Sequence, residues 1–292
     1  MKISQVTPSR EIASFIQTYA TEKQSYTNKL PLDHIDALEN FLETVDRETG
    51  IFVVEEAQDI KLVLLCMSYA ENRYKVIGPI KQKDYTSSGE VFKQLFDQMT
   101  AQHTQPSTYY FAFSVHHELI KDYMKNIGAS YTFTDYHLET SQDLGETDNL
   151  RHIVPYAKAY HRYFQKLHED TFTHHAMTAK EIIASLDDQH ELVLYMAEGL
   201  LKGYLYLIYD EAQHHAEIKY FSSHSDYRLK GIAFDLIQHA IHRALSRPQI
   251  DRVYFKIRSK NHRLVTRFHE LGFNITSEYQ KFKICLLYTS DA

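Results

Sequence analysis

Apolar and polar positions along this chain follow two periods, and the same succession of periods occurs twice. The run Tyr109-Tyr110-Phe111-Ala112-Phe113-Ser114-Val115 is aromatic and β-branched, as in a strand; residues 117–127 carry apolar side chains at helical spacing, and Gly128 ends the helix. Residues 253–259 repeat the strand, 261–271 the helix and Gly272 the stop, 144 positions later. The same offset lays Ser87-Ser88-Gly89 on Gly231-Ile232-Ala233, and Lys75-Val76-Ile77 on Lys219-Tyr220-Phe221. Further upstream an offset of 141 pairs Ile51-Phe52-Val53 with Leu192-Val193-Leu194, a difference that one hairpin loop absorbs.

Each copy therefore predicts a strand, a helical segment, three strands, a helix, a strand, a helix and a last strand. That order is a mixed α/β (α+β) fold. In the second copy the expected strands are 151–154, 191–197, 201–209, 216–222, 252–258 and 278–284, and Ile232, Leu236, Ile237, Ala240, Ile241, Ala244 and Leu245 form the apolar face of the helix after Gly231. The polar stretch 141–149 is the natural linker, so the expected domains are 1–140 and 150–284. Residues 285–292 have no counterpart in the first copy and are set aside as a possible non-native tail.

A length of 292 residues with 43% hydrophobic and 24% charged side chains suits two globular domains rather than a disordered chain. The net charge of -6 gives the whole molecule no reason to bind nucleic acid or an anionic membrane. It is unevenly placed: residues 1–145 hold 13 basic and 20 acidic side chains, and 146–292 hold 19 and 18. The two cysteines, Cys66 and Cys285, are too few for a disulfide framework, and with no apolar segment long enough for a bilayer the expected compartment is the cytoplasm. The 18 histidines include no pair at i, i+4 spacing, so no metal site is expected.

The candidate chemistry lies after the strand at 216–222. There Arg228, Leu229, Lys230 and Gly231 lead into a helix beginning Ile232-Ala233, whose first turn offers unpaired N–H groups and the positive end of the helix dipole to an anion. Alone, Arg-x-x-Gly-x-Ala is a weak signal, since helices often open after glycine. Asn261, thirty residues after Gly231, and Leu271-Gly272-Phe273 closing the next helix strengthen it.

At these residues the sequence resembles the GNAT superfamily of acetyl-CoA-dependent N-acetyltransferases, the second copy in full and the first as a degenerate repeat. The resemblance implies two tandem GNAT-like acyl-CoA N-acyltransferase domains, with acetyl-CoA as cosubstrate and no metal. Residues Arg228, Leu229, Lys230, Gly231, Ile232 and Ala233 would then hold the pyrophosphate, and Phe221, Ser222 and Ser223 would line the pantetheine arm in a slot between splayed strands. Asn261 would bond that arm, and a backbone N–H near Ser222 would polarise the thioester carbonyl. Glu217 is the candidate base for a small-molecule or peptide amine, its alternative being an ordinary strand residue.

Phe268 occupies the cofactor-side position where many family members carry a tyrosine that protonates the leaving thiolate. Tyr254 or Tyr279 could serve instead, or solvent; a non-catalytic acyl-CoA-binding or regulatory module is the alternative function, and an aminoacyl-tRNA-dependent transferase ranks last. In the first copy Ser87, Asp84, His117 and Arg73 stand where the offset places Gly231, Arg228, Asn261 and Glu217, so no CoA site is expected there. Glu169 and Asp170, in the stretch 168–175, belong to the acceptor wall or to a solvated loop.

Overall fold

The computed structural model describes residues 1–20, 30–172, 176–224 and 231–287, apart from the side chains of 46–48. In chain order the first copy gives β1 (Lys2–Val6), α1 (Arg10–Tyr19), α2 (Ile35–Glu48), β2 (Ile51–Glu56), β3 (Asp59–Ala70), β4 (Arg73–Lys81), α3 (Gly89–Thr100), β5 (Ser107–Ser114), α4 (Ile120–Ile127) and β6 (Ser130–Thr140). The second gives β7 (Ile153–Pro155), α5 (His161–Thr171), α6 (Ala179–Ala184), β8 (His190–Ala197), β9 (Leu200–Asp210), β10 (His215–Ser223), α7 (Ile232–Leu245), β11 (Arg252–Arg258), α8 (His262–Glu270) and β12 (Asn274–Leu286). The doubled order read from the periodicity is present.

The chain forms two compact units, and their composition is not that of a cut at a linker. One unit is Met1–Asp135 with Glu278–Ala292, the other Tyr136–Ser277. The first unit has strand order β1-β2-β3-β4-β5-β12, with Tyr279 to Leu286 running antiparallel to β5. The second has β6-β11-β10-β9-β8-β7. Each copy's last strand thus ends in the unit built from the other copy. The two last strands occupy equivalent places in the repeat, so the sequence pattern does not distinguish a kept strand from an exchanged one.

Two further expectations change. Cys285 and Leu286 are paired with Thr108 and Ser107, so the strand runs past residue 284 into the stretch set aside as a tail; residues 288–292 lie outside the described residues. The stretch 141–149 is also no loose linker. His239 bonds the carboxylate of Glu146 at 2.9 Å, His242 that of Asp143 at 3.0 Å, and Thr147 and Asn149 donate to Asp235, tying the segment along α7.

In the second unit alternation sorts β11 cleanly. Val253, Phe255 and Ile257 enter a core with Leu205, Leu207, Leu236 and Phe268 beneath α7 and α8, while Tyr254 and Lys256 take the other face. Along β9, Tyr204 and Tyr206 join Phe164 and Leu194 under α5 and α6.

In the first unit Ile16, Leu42, Phe52, Phe92 and Phe111 centre the core. His117 is buried beside it, its ring edge-on to Phe113 at 5.2 Å and Tyr123 at 5.7 Å. Burial pushes this imidazole down to about 4. The unfolded chain, titrating near pH 6.5, binds a proton that the folded chain refuses, so stability is complete above pH 6.5 and falls as pH drops toward about 4. The loss amounts to about 3 kcal/mol. Urea denaturation should show it in the wild type and not in His117→Asn; equal acid losses in the two proteins would refute the assignment.

Candidate active site

The site is built where β10 and β11 part. They pair in parallel only from His215, Ala216 and Glu217 to Arg252, Val253 and Tyr254, although β10 continues to Ser223 and β11 to Arg258. Beyond Glu217, β10 keeps its register with β9 alone, with a bulge at Lys219. One edge of β10, from Ile218 to Ser223, is therefore without a strand partner among the described residues. An extended chain of amide character could add to such an edge.

Phe268 fills the wedge between the diverging strands. Its ring is wholly buried, stacked on Phe255 at 4.5 Å and edge-on to Phe221 at 5.9 Å, with Phe273 behind it at 4.9 Å. It props the slot open from within the core and offers no proton.

At one end of the slot α7 begins. Its N-cap Gly231 is left-handed, with φ of 77°, and makes no side-chain capping bond. Among the described residues, nothing lies within 4 Å of a Cβ built there. Ile232 is buried in the core and Ala233 half-buried, while Arg228, Leu229 and Lys230 lie outside the described residues. Asn261 caps α8 through its backbone only; its carboxamide makes no capping bond and the residue is exposed.

At the vertex, Glu217 and Tyr254 face each other across the last paired position. The Glu217 carboxylate, 14% exposed, accepts from the Lys219 ammonium at 3.2 Å through both oxygens and from the Tyr254 hydroxyl. Burial first, then the charge and hydrogen bond of Glu217, and then the charges of Asp210 and Glu139, raise the Tyr254 phenol well above its ordinary value. This hydroxyl keeps its proton. Tyr279, the other tyrosine weighed as an acid, is placed in the first unit opposite Ser114, so of the two tyrosines Tyr254 is the one beside Glu217.

Beside the slot the hydroxyls of Ser222 and Thr171 meet at 2.7 Å, and Ser223 is half-buried at the end of β10. Under α5, buried His168 donates from Nε2 to the Met177 carbonyl at 2.7 Å and accepts at Nδ1 from Tyr204 at 2.5 Å. Tyr220 takes the Met177 N–H at 3.1 Å. Glu169 and Asp170 lie on α5 and are exposed rather than in a loop; His174 and His175 lie outside the described residues. The His168 network joins residues far apart in sequence and left no local signal.

Gly203 on β9 was also missed. A Cβ there would come within 2.9 Å of the Ser222 carbonyl, 3.0 Å of Ile232 and 3.2 Å of Leu236, so only glycine lets α7 settle against β10. A glycine inside the apolar run Leu201-Lys202-Gly203-Tyr204-Leu205 was its signal.

The first unit keeps the outline and closes the site. β4 and β5 likewise part after Val76 and Phe111. But Ser88 caps α3 by accepting from the Val91 N–H at 3.3 Å, and the Gly89 N–H donates to the Asp122 carboxylate at 2.5 Å. The preceding loop turns its carbonyls inward: the Lys81 ammonium donates to those of Gln82, Lys83 and Tyr85 at 3.3, 3.2 and 2.9 Å. A carboxylate stands where an anionic ligand would, and carbonyls replace N–H groups. Moreover, the residue in the place of Glu217 is Lys75 rather than Arg73, since Lys75 lies opposite Tyr110 and Met67 as Glu217 lies opposite Tyr254 and Ile208. Bulges at Lys219 and at Gly78-Pro79 shift the register away from the sequence offset.

No group of three or more metal-ligating side chains is gathered among the described residues, and none of their helices is long and apolar enough to cross a membrane.

Residues 155–273 match the model of the acetyltransferase (GNAT) family. No curated protein matches the sequence. Among solved structures, the chain is similar to a GCN5-related N-acetyltransferase from Sphaerobacter thermophilus, at 11% identity and TM-score 0.72, over 100% of this chain and 97% of that one. It is similar also to a tandem GNAT protein from the clavulanic acid biosynthesis pathway, at 12% identity and TM-score 0.62 over 99% of both chains. A GNAT-family acetyltransferase from Colwellia psychrerythraea gives 12% identity and TM-score 0.59 over 97% of this chain and 100% of that one. Likeness over the full length at such identity concerns the fold, which is that of two tandem GNAT copies.

Proposed function

We propose that this chain, whose residues 155–273 match the GNAT family model, transfers an acetyl group from acetyl-CoA to a primary amine in the unit Tyr136–Ser277. The observation that carries the reading is the parting of β10 from β11 at Glu217 and Tyr254, with a left-handed Gly231 opening α7 at the far end of the same slot. The free edge of β10 suits the amide-bearing pantetheine arm, and the first turn of α7 suits a diphosphate. Arg228, Leu229 and Lys230 complete that loop in the proposal, with Ile232 and Ala233 supplying first-turn N–H groups, and Asn261 bonds the arm. Phe221 and Phe268 form the slot's apolar floor.

Acetyl-CoA supplies the activated acyl group. Glu217 takes one proton from the ammonium form of the acceptor, the amine nitrogen attacks the thioester carbon, and as the C–S bond breaks the nitrogen loses a second proton to solvent, which balances the proton that makes the thiolate a free thiol. A backbone N–H near Ser222 stabilises the carbonyl oxygen as charge develops. The Tyr254 hydroxyl, kept protonated beside Glu217, is too weak an acid to give its proton to the thiolate; it holds Glu217 in place, and the departing thiolate takes its proton from solvent. Cys66 and Cys285 are both unpaired, which suits a reducing cytoplasm. The first copy, its helix terminus closed by Ser88 and Asp122, acts as a structural partner that binds no CoA.

Thiol release from acetyl-CoA across a panel of primary amines, with mass spectrometry of the products, tests this function. Monoacetylated product with equimolar free thiol is expected. Acetyl-CoA binding without thiol release for any amine would make the chain a binding module instead.

A further inference from the structure

The exchanged strands set two rows of side chains of opposite charge across equivalent tyrosines. In the first unit Tyr110 on β5 lies between Lys75 on β4 and Lys283 on β12, each directly opposite it. In the second unit Tyr254 on β11 lies opposite Glu217 on β10, and β6 flanks β11 on its other side. Glu139 on β6 is the residue 144 positions before Lys283, and its charge acts on the Tyr254 hydroxyl as that of Glu217 does. The first row is Lys75–Tyr110–Lys283, and the repeat makes its counterpart Glu217–Tyr254–Glu139, with Leu138 next to Glu139 on the core side as Phe255 is next to Tyr254. Were each last strand kept by its own copy, each row would carry one charge of each sign. Exchange makes the row at the slot acidic and its counterpart basic.

We propose that Glu139, carried into the catalytic unit on the exchanged strand β6, binds the acceptor, so that Glu217 and Glu139 on either side of Tyr254 select an amine bearing a second cationic group. This deepens the acetyltransferase reading and rests on it. Adjacent strands are about 4.8 Å apart, so the two carboxylates issue from backbone positions about 10 Å apart, a span that a short diamine bridges. One ammonium meets Glu217, where it is deprotonated and acetylated, displacing the half-exposed Lys219 now bonded there; the other meets Glu139. Among the described residues that face Tyr254, Asp210 adds to the attraction, Lys256, whose ammonium stands 5.3 Å from the ring centroid, opposes it, and the His215 ring lies edge-on at 4.7 Å. An acceptor with a carboxylate in place of the second ammonium would be repelled by Glu139.

The test uses three acceptors of equal length: putrescine, n-butylamine and γ-aminobutyrate. Wild type should acetylate them in that order of kcat/KM, and calorimetry with CoA present should show the same order of binding. Glu139→Gln should raise KM for putrescine about tenfold with kcat within about twofold, an effect of one charge-assisted hydrogen bond. It should leave KM for n-butylamine and the affinity for acetyl-CoA unchanged, the latter showing that the fold is intact. Glu139→Lys, which copies the first unit's residue, should reverse the preference toward γ-aminobutyrate. Lys283→Gln should change none of these. Equal use of the three acceptors by wild type, or an unaltered preference in Glu139→Gln, would overturn the proposal while leaving acetyl transfer standing. Loss of acetyl-CoA binding in wild type would instead strike the acetyltransferase reading, and selective diamine binding that depends on Glu139 would survive it.

Discussion

Gly231→Asp should abolish acetyl-CoA binding, raising Kd at least about 100-fold, because it rebuilds at α7 the closure that Asp122 makes at α3. Gly231 has φ of 77°, a conformation in which Asp is among the least strained non-glycine residues, and a Cβ there meets no described residue within 4 Å. The folding cost is therefore about 1 kcal/mol. A carboxylate about 5 Å from a diphosphate repels it by about 3 kcal/mol per unit charge at an effective dielectric of about 20. It also takes up the first-turn N–H groups that the ligand needs. Calorimetry on a variant with near wild-type melting temperature checks this; an unchanged Kd would remove α7 from the cofactor site.

The second large effect is expected at Glu217. Glu217→Gln keeps the shape of the side chain and a hydrogen bond to Tyr254 but cannot accept the ammonium proton. Its kcat should fall about 100- to 1,000-fold near neutral pH, with acetyl-CoA affinity unchanged. A free amine needs no base, so the deficit should narrow as pH rises toward about 10, where primary amines lose their protons unaided. A carboxylate that merely steadied Lys219 and Tyr254 would leave a deficit uniform with pH. The rate profile therefore separates a base from a strut.

Much of this fold was legible in the chain because the repeat is carried by local signals. Strand runs, helical apolar faces and the stops at Gly128 and Gly272 recur in one register, and both glycines are left-handed as their places require. The slot was legible through the family resemblance, and the parting of β10 from β11 gives it a physical form. What stayed hidden is non-local. The destination of a last strand depends on which partner edge it meets, and β6 and β12 have equivalent patterns. Glu139 therefore reads as a residue of the degenerate copy until the sheet order is known. The counterpart of Glu217 was misassigned to Arg73 because bulges alter the register without altering residue counts. The plug of Ser88 and Asp122 joins positions 34 apart in sequence. The first copy's acidity, read from sequence as a property of that half, is redistributed by the exchange: Glu139 passes to the unit Tyr136–Ser277, and Lys281 and Lys283 pass to the other.

One copy should hold acetyl-CoA, and the other should be closed to it by its own side chains. Calorimetric titration of the intact chain with acetyl-CoA measures this through the stoichiometry. One molecule bound per chain, with that site lost in Gly231→Asp, is the predicted result; two equivalent sites, or a single site that survives Gly231→Asp, would contradict it.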